Sequence, residues 1–479
     1  MTKIAFDFVC DEAPLFGKVG EIWSEQGAIV SGLVLGKRWQ KWWRQFEVRQ
    51  ISDGQTYQEP QLDEELARIE LDYGEFAPAW FPISDRFVSE IARDEQTRIL
   101  VNTFQRVEAF FDHARPDAFF CTGIAYLYNL VTHAVCKRRG IPHASLYDIR
   151  QSKPRFTYSL GVDNCFDNVS RRFDDLMSLQ AAERRKRLAA DARKVEEFRS
   201  GETQPEYTKF AMNRSIGPVH LREFFIRFGH YYFEGWGRDP ADYMTKSPFW
   251  YAKRDLTKTA KRFMQKLFSD RVFDPVAEND TFYLYPLPVQ PEASTLILAP
   301  FNVDQVETIS NVAKCLPLDA VLYVKEHPAQ FGRRSFADLQ RISRIHNVRL
   351  IAPWERTSEL IRRSIGVICP SGTAAWEAML HGKPSFLLGD VHFGIVDSRL
   401  RMKSYTDLRD SLHILYRREA LNYNPEAVVA FYNALWEGSY EGRFTVAKMD
   451  TASMVLNGEN VKLVHEGLRA IFENDLKSA

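Results

Sequence analysis

The sequence predicts an α/β protein made of two Rossmann-like, doubly wound domains with helical insertions, and three observations carry that expectation. Short apolar runs alternate with helix-patterned stretches over the first 150 residues or so. Five such runs recur in about 110 residues between Thr281 and Gly389. The chain, at 479 residues, is also too long for one ordinary core.

In chain order, KIAFDFV (3–9) reads as a buried strand. A loop with Pro14 and Gly17, a helix near 18–26 and a second strand, AIVSGLVLG, follow it. Strand, helix and strand at this spacing suggest a βαβ unit and a parallel sheet. The grammar returns with a strand at Asp117–Cys121 and a helix at Ala125–Arg139. Gly140 and Pro142 stop that helix, and His143–Leu146 begins the next strand. Residues 166–275 are charged and helix-favouring, and include an aromatic section, FFIRFGHYYFEGWGRDP. They read as a helical insert and crossover.

From Thr281 the strands FYLYPL, AVLYVKE, VRLIA, IGVIC and SFLLG alternate with helices at Val303–Cys315, Phe336–Ile345, Thr357–Arg363 and Ala374–Leu380. The division expected is a first Rossmann-like domain over 1–165, the insert over 166–275, a second Rossmann-like domain over 276–420, and terminal helices over 421–479. Two such domains would leave a cleft between the carboxyl ends of two parallel sheets, where α/β folds bind ligands.

Composition narrows the function. Apolar residues make up 45% and charged residues 26%, a globular balance. Basic and acidic residues number 63 each, which argues against a dedicated nucleic-acid binder. The six cysteines are scattered without a CxxC pair, so they read as buried thiols in a reducing compartment. No apolar stretch approaches the ~18 to 20 residues of a membrane helix. A soluble, cytoplasmic protein without a resident metal or other cofactor is the expectation.

Three strand-end segments of the second domain carry the chemistry. PLPVQPEAS (286–294) is a polar loop after a strand. YVKEHP (323–328) ends a strand in Lys325, Glu326 and His327, with Pro328 fixing the turn. CPSGTAAWEAMLHGKP (369–384) runs from a strand through Ser371, Gly372 and Thr373 into a helix with Glu377. Ser and Thr at a helix start can cap its first turn, and the N–H groups and dipole there suit a phosphate. Lys325 and His327 would add donors beside it. Glu377 could accept from sugar or ribose hydroxyls. An ordinary capped helix and a surface histidine would produce the same residues.

Together, PLPVQPEAST, Val303–Gln305, LYVKEHP and SGTAAWEAMLHGKPSFLLGD resemble the bacterial capsule or surface-carbohydrate biosynthesis family. That family is related to the Kdo transferases and has the two-Rossmann glycosyltransferase fold called GT-B. The resemblance covers roughly 280–392 and implies that His327, Ser371, Gly372 and Thr373 face the donor's phosphate, with Glu377 on the nucleotide. Gln290, Lys325 and Pro328, from the same segments, complete the candidate donor set. Relatives often have an aromatic or His where this chain has Pro288 and Val289.

The resemblance implies a metal-independent glycosyltransferase. It would move a sugar, CMP-Kdo or a related acid sugar being one candidate donor, to a surface polysaccharide or lipid-linked glycan. A glycerophosphate transferase of the same fold and a non-catalytic assembly or export partner are the alternatives. Transfer needs a group to take the acceptor's proton. Acids at strand ends are Asp11, Glu12, Asp148 and Glu292, with Asp148 favoured beside the basic Arg150, Lys153 and Arg155.

Two basic aromatic patches remain. KRWQKWWRQ offers Trp39, Trp42 and Trp43 to an acceptor sugar or a membrane. AKRDLTKTAKRFMQKLF places Leu256, Ala260, Phe263 and Leu267 on one helical face. Either patch could rest on anionic lipid at the inner face of the cytoplasmic membrane, or pack between domains.

Overall fold

The computed structural model describes residues 1–7, 12–35, 43, 45–50, 59–149, 154–200, 243–244, 246–397, 400–417, 424–443 and 455–477. The chain divides into two compact units, residues 1–168, 233–246 and 438–479 in the first, and 169–232 and 247–437 in the second.

The first unit is built on a seven-stranded sheet. Its parallel part comprises β1 (Lys3–Asp7), β2 (Ile29–Val34), β3 (Glu47–Gln50), β4 (Ala118–Thr122) and β5 (His143–Ile149), in the order β5-β4-β1-β2-β3. Two antiparallel strands extend the β5 edge, β6 (Arg155–Ser159) and then Tyr440–Glu441. The C-terminal part of the chain therefore returns to the first sheet. The helices that flank the strands include α1 (Ala13–Glu25), α2 (Glu59–Tyr73), α3 (Arg93–Ala114) and α4 (Leu127–Arg139). Pro14 sits in the first turn of α1, where a missing N–H costs nothing. The helix buries Leu15, Phe16, Val19 and Trp23, and the Trp23 ring meets His465 and Phe472 of the C-terminal helical segment at 5.2 and 6.0 Å. Gly140 closes α4 at φ +64°, the left-handed position its sequence called for.

The second unit carries a purely parallel sheet of β7 (Phe282–Pro286), β8 (Val321–Lys325), β9 (Val348–Ile351), β10 (Val367–Cys369) and β11 (Ser385–Leu387). Its order is β11-β10-β7-β8-β9. In each unit the fourth strand lies beside the first, so both sheets have the same Rossmann order with a switch point between those strands. These strands are near-continuous apolar runs because helices cover both faces of such sheets.

The helices of this unit include α5 (Ala181–Ser200), α6 (Pro248–Leu267), α7 (Gln305–Lys314), α8 (Phe336–Ser343), α9 (Thr357–Arg363), α10 (Thr373–Leu380), α11 (Tyr405–Tyr416) and α12 (Pro425–Glu437). Asp304, Ser335 and Ser404 cap α7, α8 and α11 through their side-chain oxygens. The insert helix α5 docks within this unit, with Arg184 bonding Glu426 at 2.8 Å and Arg199 donating to the Leu380 carbonyl at 2.7 Å.

Candidate functional site

The switch point of the second sheet lies between β7 and β10, and two of the three motif segments leave it from either side. Ser371, after β10, donates its hydroxyl to the carbonyl of Ser294 in the loop after β7, at 2.5 Å. Ser371 therefore ties the two loops together and does not cap α10, as the sequence suggested it would. Gly372 is the N-cap, no side chain caps the helix, and Thr373 stands exposed in its first turn. The N-terminus of α10 is thus left open beside the switch point.

The first unit shows what a closed version looks like. At its switch point, between β1 and β4, α4 begins at Leu127, and the buried carboxylate of Asp85 accepts the Leu127 N–H at 2.8 Å. Asp85 also accepts from Phe87 N at 2.7 Å and Val88 N at 3.2 Å, while burial raises its pKa. The anion position at that helix is filled by the protein's own acid. In the second unit no carboxylate among the described residues does this for α10.

Beside α10, the end of β8 supplies Lys325, Glu326 and His327. Lys325 is 3% exposed and donates to the carbonyls of Glu326 and Pro353 at 3.2 and 3.3 Å. It is a buried charge whose described hydrogen bonds go to loop carbonyls. Burial pushes its pKa down to about 8, against the pull of Glu326, Glu355 and Glu377. Glu377, also buried, sits in the second turn of α10, and its carboxylate accepts no hydrogen bond among the described residues. Burial pushes its pKa up to about 7, with Arg362 and Lys325 acting the other way.

His327 is half-buried. Its Nδ1 accepts the N–H of Ala329 at 3.0 Å, which places the proton of the neutral ring on Nε2. Pro328 opens the short turn that follows. Gln290 is bound into the scaffold: its amide donates to the Val303 carbonyl at 2.6 Å, and its backbone exchanges bonds with the Gln330 side chain at 3.1 and 3.4 Å.

Arg334 is the residue that sequence reasoning missed. Its Nε donates to Glu326 Oε2 at 2.8 Å, both side chains being buried, and Glu326 Oε1 accepts the His327 N–H at 2.8 Å. The same guanidinium reaches the Pro288 carbonyl at 3.4 Å. One buried ion pair thus fixes the loops after β7 and β8. No motif announces it, because Arg334 lies eight residues past Glu326 in a turn.

The remaining candidates scatter. Asp148 is the penultimate residue of β5, paired with Phe156 of β6. Glu292 is half-buried and precedes the short helical turn Ala293–Leu296. Glu12 directly precedes α1. Trp43 is 0% exposed in the core of the first unit, its ring tilted against Phe46 at 5.5 Å, so it does not present itself to a sugar or a membrane. Trp39, Trp42, Asp11, Arg150 and Lys153 lie outside the described residues. Among the described residues, no group of three His, Cys, Asp or Glu side chains could hold a metal ion, and no helix is long and apolar enough to cross a membrane.

Strand order and strand-end loops make this a protein of the doubly wound α/β class. A family model described as capsule polysaccharide biosynthesis protein matches residues 228–397, about a third of the chain, and all three motif segments fall inside that stretch. The resemblance carried by those motifs is met by this match: the segment that holds them is similar to the capsule polysaccharide biosynthesis family.

No curated protein matches the chain. Solved structures similar to it include KpsC of Thermosulfurimonas dismutans, as a beta Kdo 2,7 transferase, at 13% identity over 68% of this chain and 79% of that one, TM-score 0.31. The beta Kdo 2,4 transferase of the same KpsC matches at 12% identity over 66% and 79%, TM-score 0.36. UDP-GlcNAc 2-epimerase from Neisseria meningitidis matches at 13% identity over 91% and 99%, TM-score 0.25. At these scores neither the activities nor the sites of those proteins carry over.

Proposed function

We propose that this chain is a glycosyltransferase of surface-polysaccharide synthesis, which binds a nucleotide-activated sugar at the carboxyl ends of β7, β8 and β10. The observation that carries the reading is the uncapped N-terminus of α10 at the switch point, with Lys325 and His327 at the end of β8, two strands away in the same sheet. The donor's phosphate would take the α10 amides and the His327 Nε2 proton. Glu377 would accept from ribose or sugar hydroxyls. Lys325, charged at neutral pH with its pKa near 8, would lower the potential of the leaving phosphate from below. No metal or other resident cofactor is needed for that stabilisation.

In the reaction, the acceptor hydroxyl oxygen bonds to the anomeric carbon as the bond from that carbon to the phosphate oxygen breaks. The hydroxyl proton passes to a carboxylate, for which Asp148 and Glu292 are the candidates. The donor class we favour, as the sequence resemblance implies, is a CMP-linked acid sugar such as CMP-Kdo, and the acceptor a growing or lipid-linked glycan at the cytoplasmic side of the membrane.

Calorimetric titration with CMP, CDP, UDP and CMP-Kdo tests the reading, and binding of at least one is expected. Silence with all of them overturns it. Turnover of CDP-glycerol without sugar transfer would instead make the chain a polyol-phosphate transferase. Asp148→Ala or Glu292→Ala should abolish transfer and leave nucleotide binding intact. If neither variant slows transfer, the base lies elsewhere.

A further inference from the structure

Helix α6 is capped by Ser247, whose Oγ accepts the Trp250 N–H at 3.2 Å, and it begins at Pro248. Its inner side is fastened to the turn after His327. Gln265 accepts the Gly332 N–H at 2.8 Å and donates to the Arg334 carbonyl at 3.1 Å, while Arg262 Nε donates to the Phe331 carbonyl at 3.1 Å. Gly332 permits this approach. It sits at φ +78°, and a Cβ there would lie 2.2 Å from Arg262 Cγ and 2.8 Å from the Lys258 carbonyl.

The outer side is unlike any other surface described. Six of the fifteen exposed large hydrophobic side chains among the described residues lie on this one helix: Phe249, Trp250, Leu256, Phe263, Met264 and Leu267. At 100° per residue, Phe249, Leu256, Ala260, Phe263 and Leu267 form one stripe, with Met264 at its margin. Phe263 is 67% exposed and Leu267 63%. Exposed cations border it, with Lys253, Arg254 and Lys261 on one side and Lys266 on the other. Asp255 is the helix's only acid, and Arg254 already engages it at 3.0 Å. Arg262 and Arg333 lie close to Lys258 and, after burial, help to lower its pKa to about 8.

A helix that turns its apolar stripe away from its own domain, bordered by cations, has the composition of one lying in a lipid interface. The charge also selects among occupants. A second copy of this helix would bring the same cations face to face, whereas anionic headgroups would neutralise them. We propose that α6 is a membrane-docking element, its stripe entering the acyl boundary of an anionic bilayer while Lys253, Arg254, Lys261 and Lys266 meet the headgroups. The role of this docking in glycan synthesis rests on the transferase reading above, but the docking itself is measured without a donor.

The test is co-sedimentation of the full chain with vesicles of phosphatidylcholine alone or with about a third phosphatidylglycerol. Binding is expected to the anionic vesicles, weakening as salt is raised. Phe263→Ser/Leu267→Ser should weaken it about tenfold or more. Lys253→Gln/Lys261→Gln/Lys266→Gln should remove the preference for phosphatidylglycerol. All five positions are exposed, so the melting temperature should hold in each variant and certify the fold. Absence of vesicle binding, or binding that both variants retain, overturns the proposal. A dimer seen by sedimentation velocity and lost in Phe263→Ser/Leu267→Ser overturns it in favour of a second copy. Nucleotide titration of the same variants, without lipid, keeps this outcome separate from the fate of the donor site.

Discussion

Arg334 Nε stands 2.8 Å from Glu326 Oε2, with both side chains almost wholly out of water, where β8 turns into the His327 loop. Removing one partner of such a pair strands the other charge. Arg334→Met should destabilise the protein by about 3–5 kcal/mol in urea unfolding. Glu326→Gln/Arg334→Met, which removes both charges, should recover a large part of that loss. Nucleotide affinity should fall in both variants, because the pair sets the position of the His327 loop.

His327→Ala and Thr373→Ala should each weaken nucleotide binding by about tenfold, the scale of a lost hydrogen bond to a charged group. Both side chains stand at least partly in solvent. The melting temperature should therefore move little, as differential scanning calorimetry would show. Unfolding of both variants would mark these residues as structural.

Glu377 carries a pH signature. Its folded pKa of about 7 lies above the ordinary 4.5 of a glutamate, so between those values the folded state holds the proton the unfolded state has lost. Stability should fall as pH rises from about 4.5 to 7, by an amount on the order of 1–3 kcal/mol. Glu377→Gln should flatten this slope. Lys325 runs the other way, its contribution to stability rising with pH between about 8 and 10.5.

Asp85→Ala should cost roughly 2–4 kcal/mol, since the N–H groups of Leu127 at the start of α4 and of Phe87 and Val88 in its own turn lose their acceptor together. Asp85→Asn, which keeps an acceptor, should cost less. Thermal unfolding of the two variants side by side would check the order.

The alternation from Phe282 to Leu387 was legible because each strand is a short apolar run bounded by Gly, Pro or a capping residue. The caps at Asp304 and Ser335 stand where those helices begin. Other elements left weaker traces. The antiparallel edge formed by β6 and Tyr440–Glu441 joins residues almost 300 positions apart, and Tyr440–Glu441 is too short to carry a period. The return of the C-terminal part to the first sheet is likewise a tertiary choice, made where Trp23, His465 and Phe472 meet. At the site, residue types and segments were readable, but orientation was not. Nothing in KEHP says that Lys325 turns inward onto two carbonyls, or that Ser371 bonds a neighbouring loop instead of its own helix. Trp43 looked like a binding residue beside so many cations, yet its burial shows that an aromatic among charges can still be core.

The turn from Pro328 to Arg334 has two anchors. One end begins at His327 and the Glu326 carboxylate, and its far end is held by Gln265 of α6. Its length is therefore fixed from both sides. A residue inserted between Pro328 and Arg334 would not be absorbed as slack, as in an ordinary surface loop, but would slide either the histidine or the helix out of place. This short turn is a rigid coupling, and it is where the chain should tolerate insertions least.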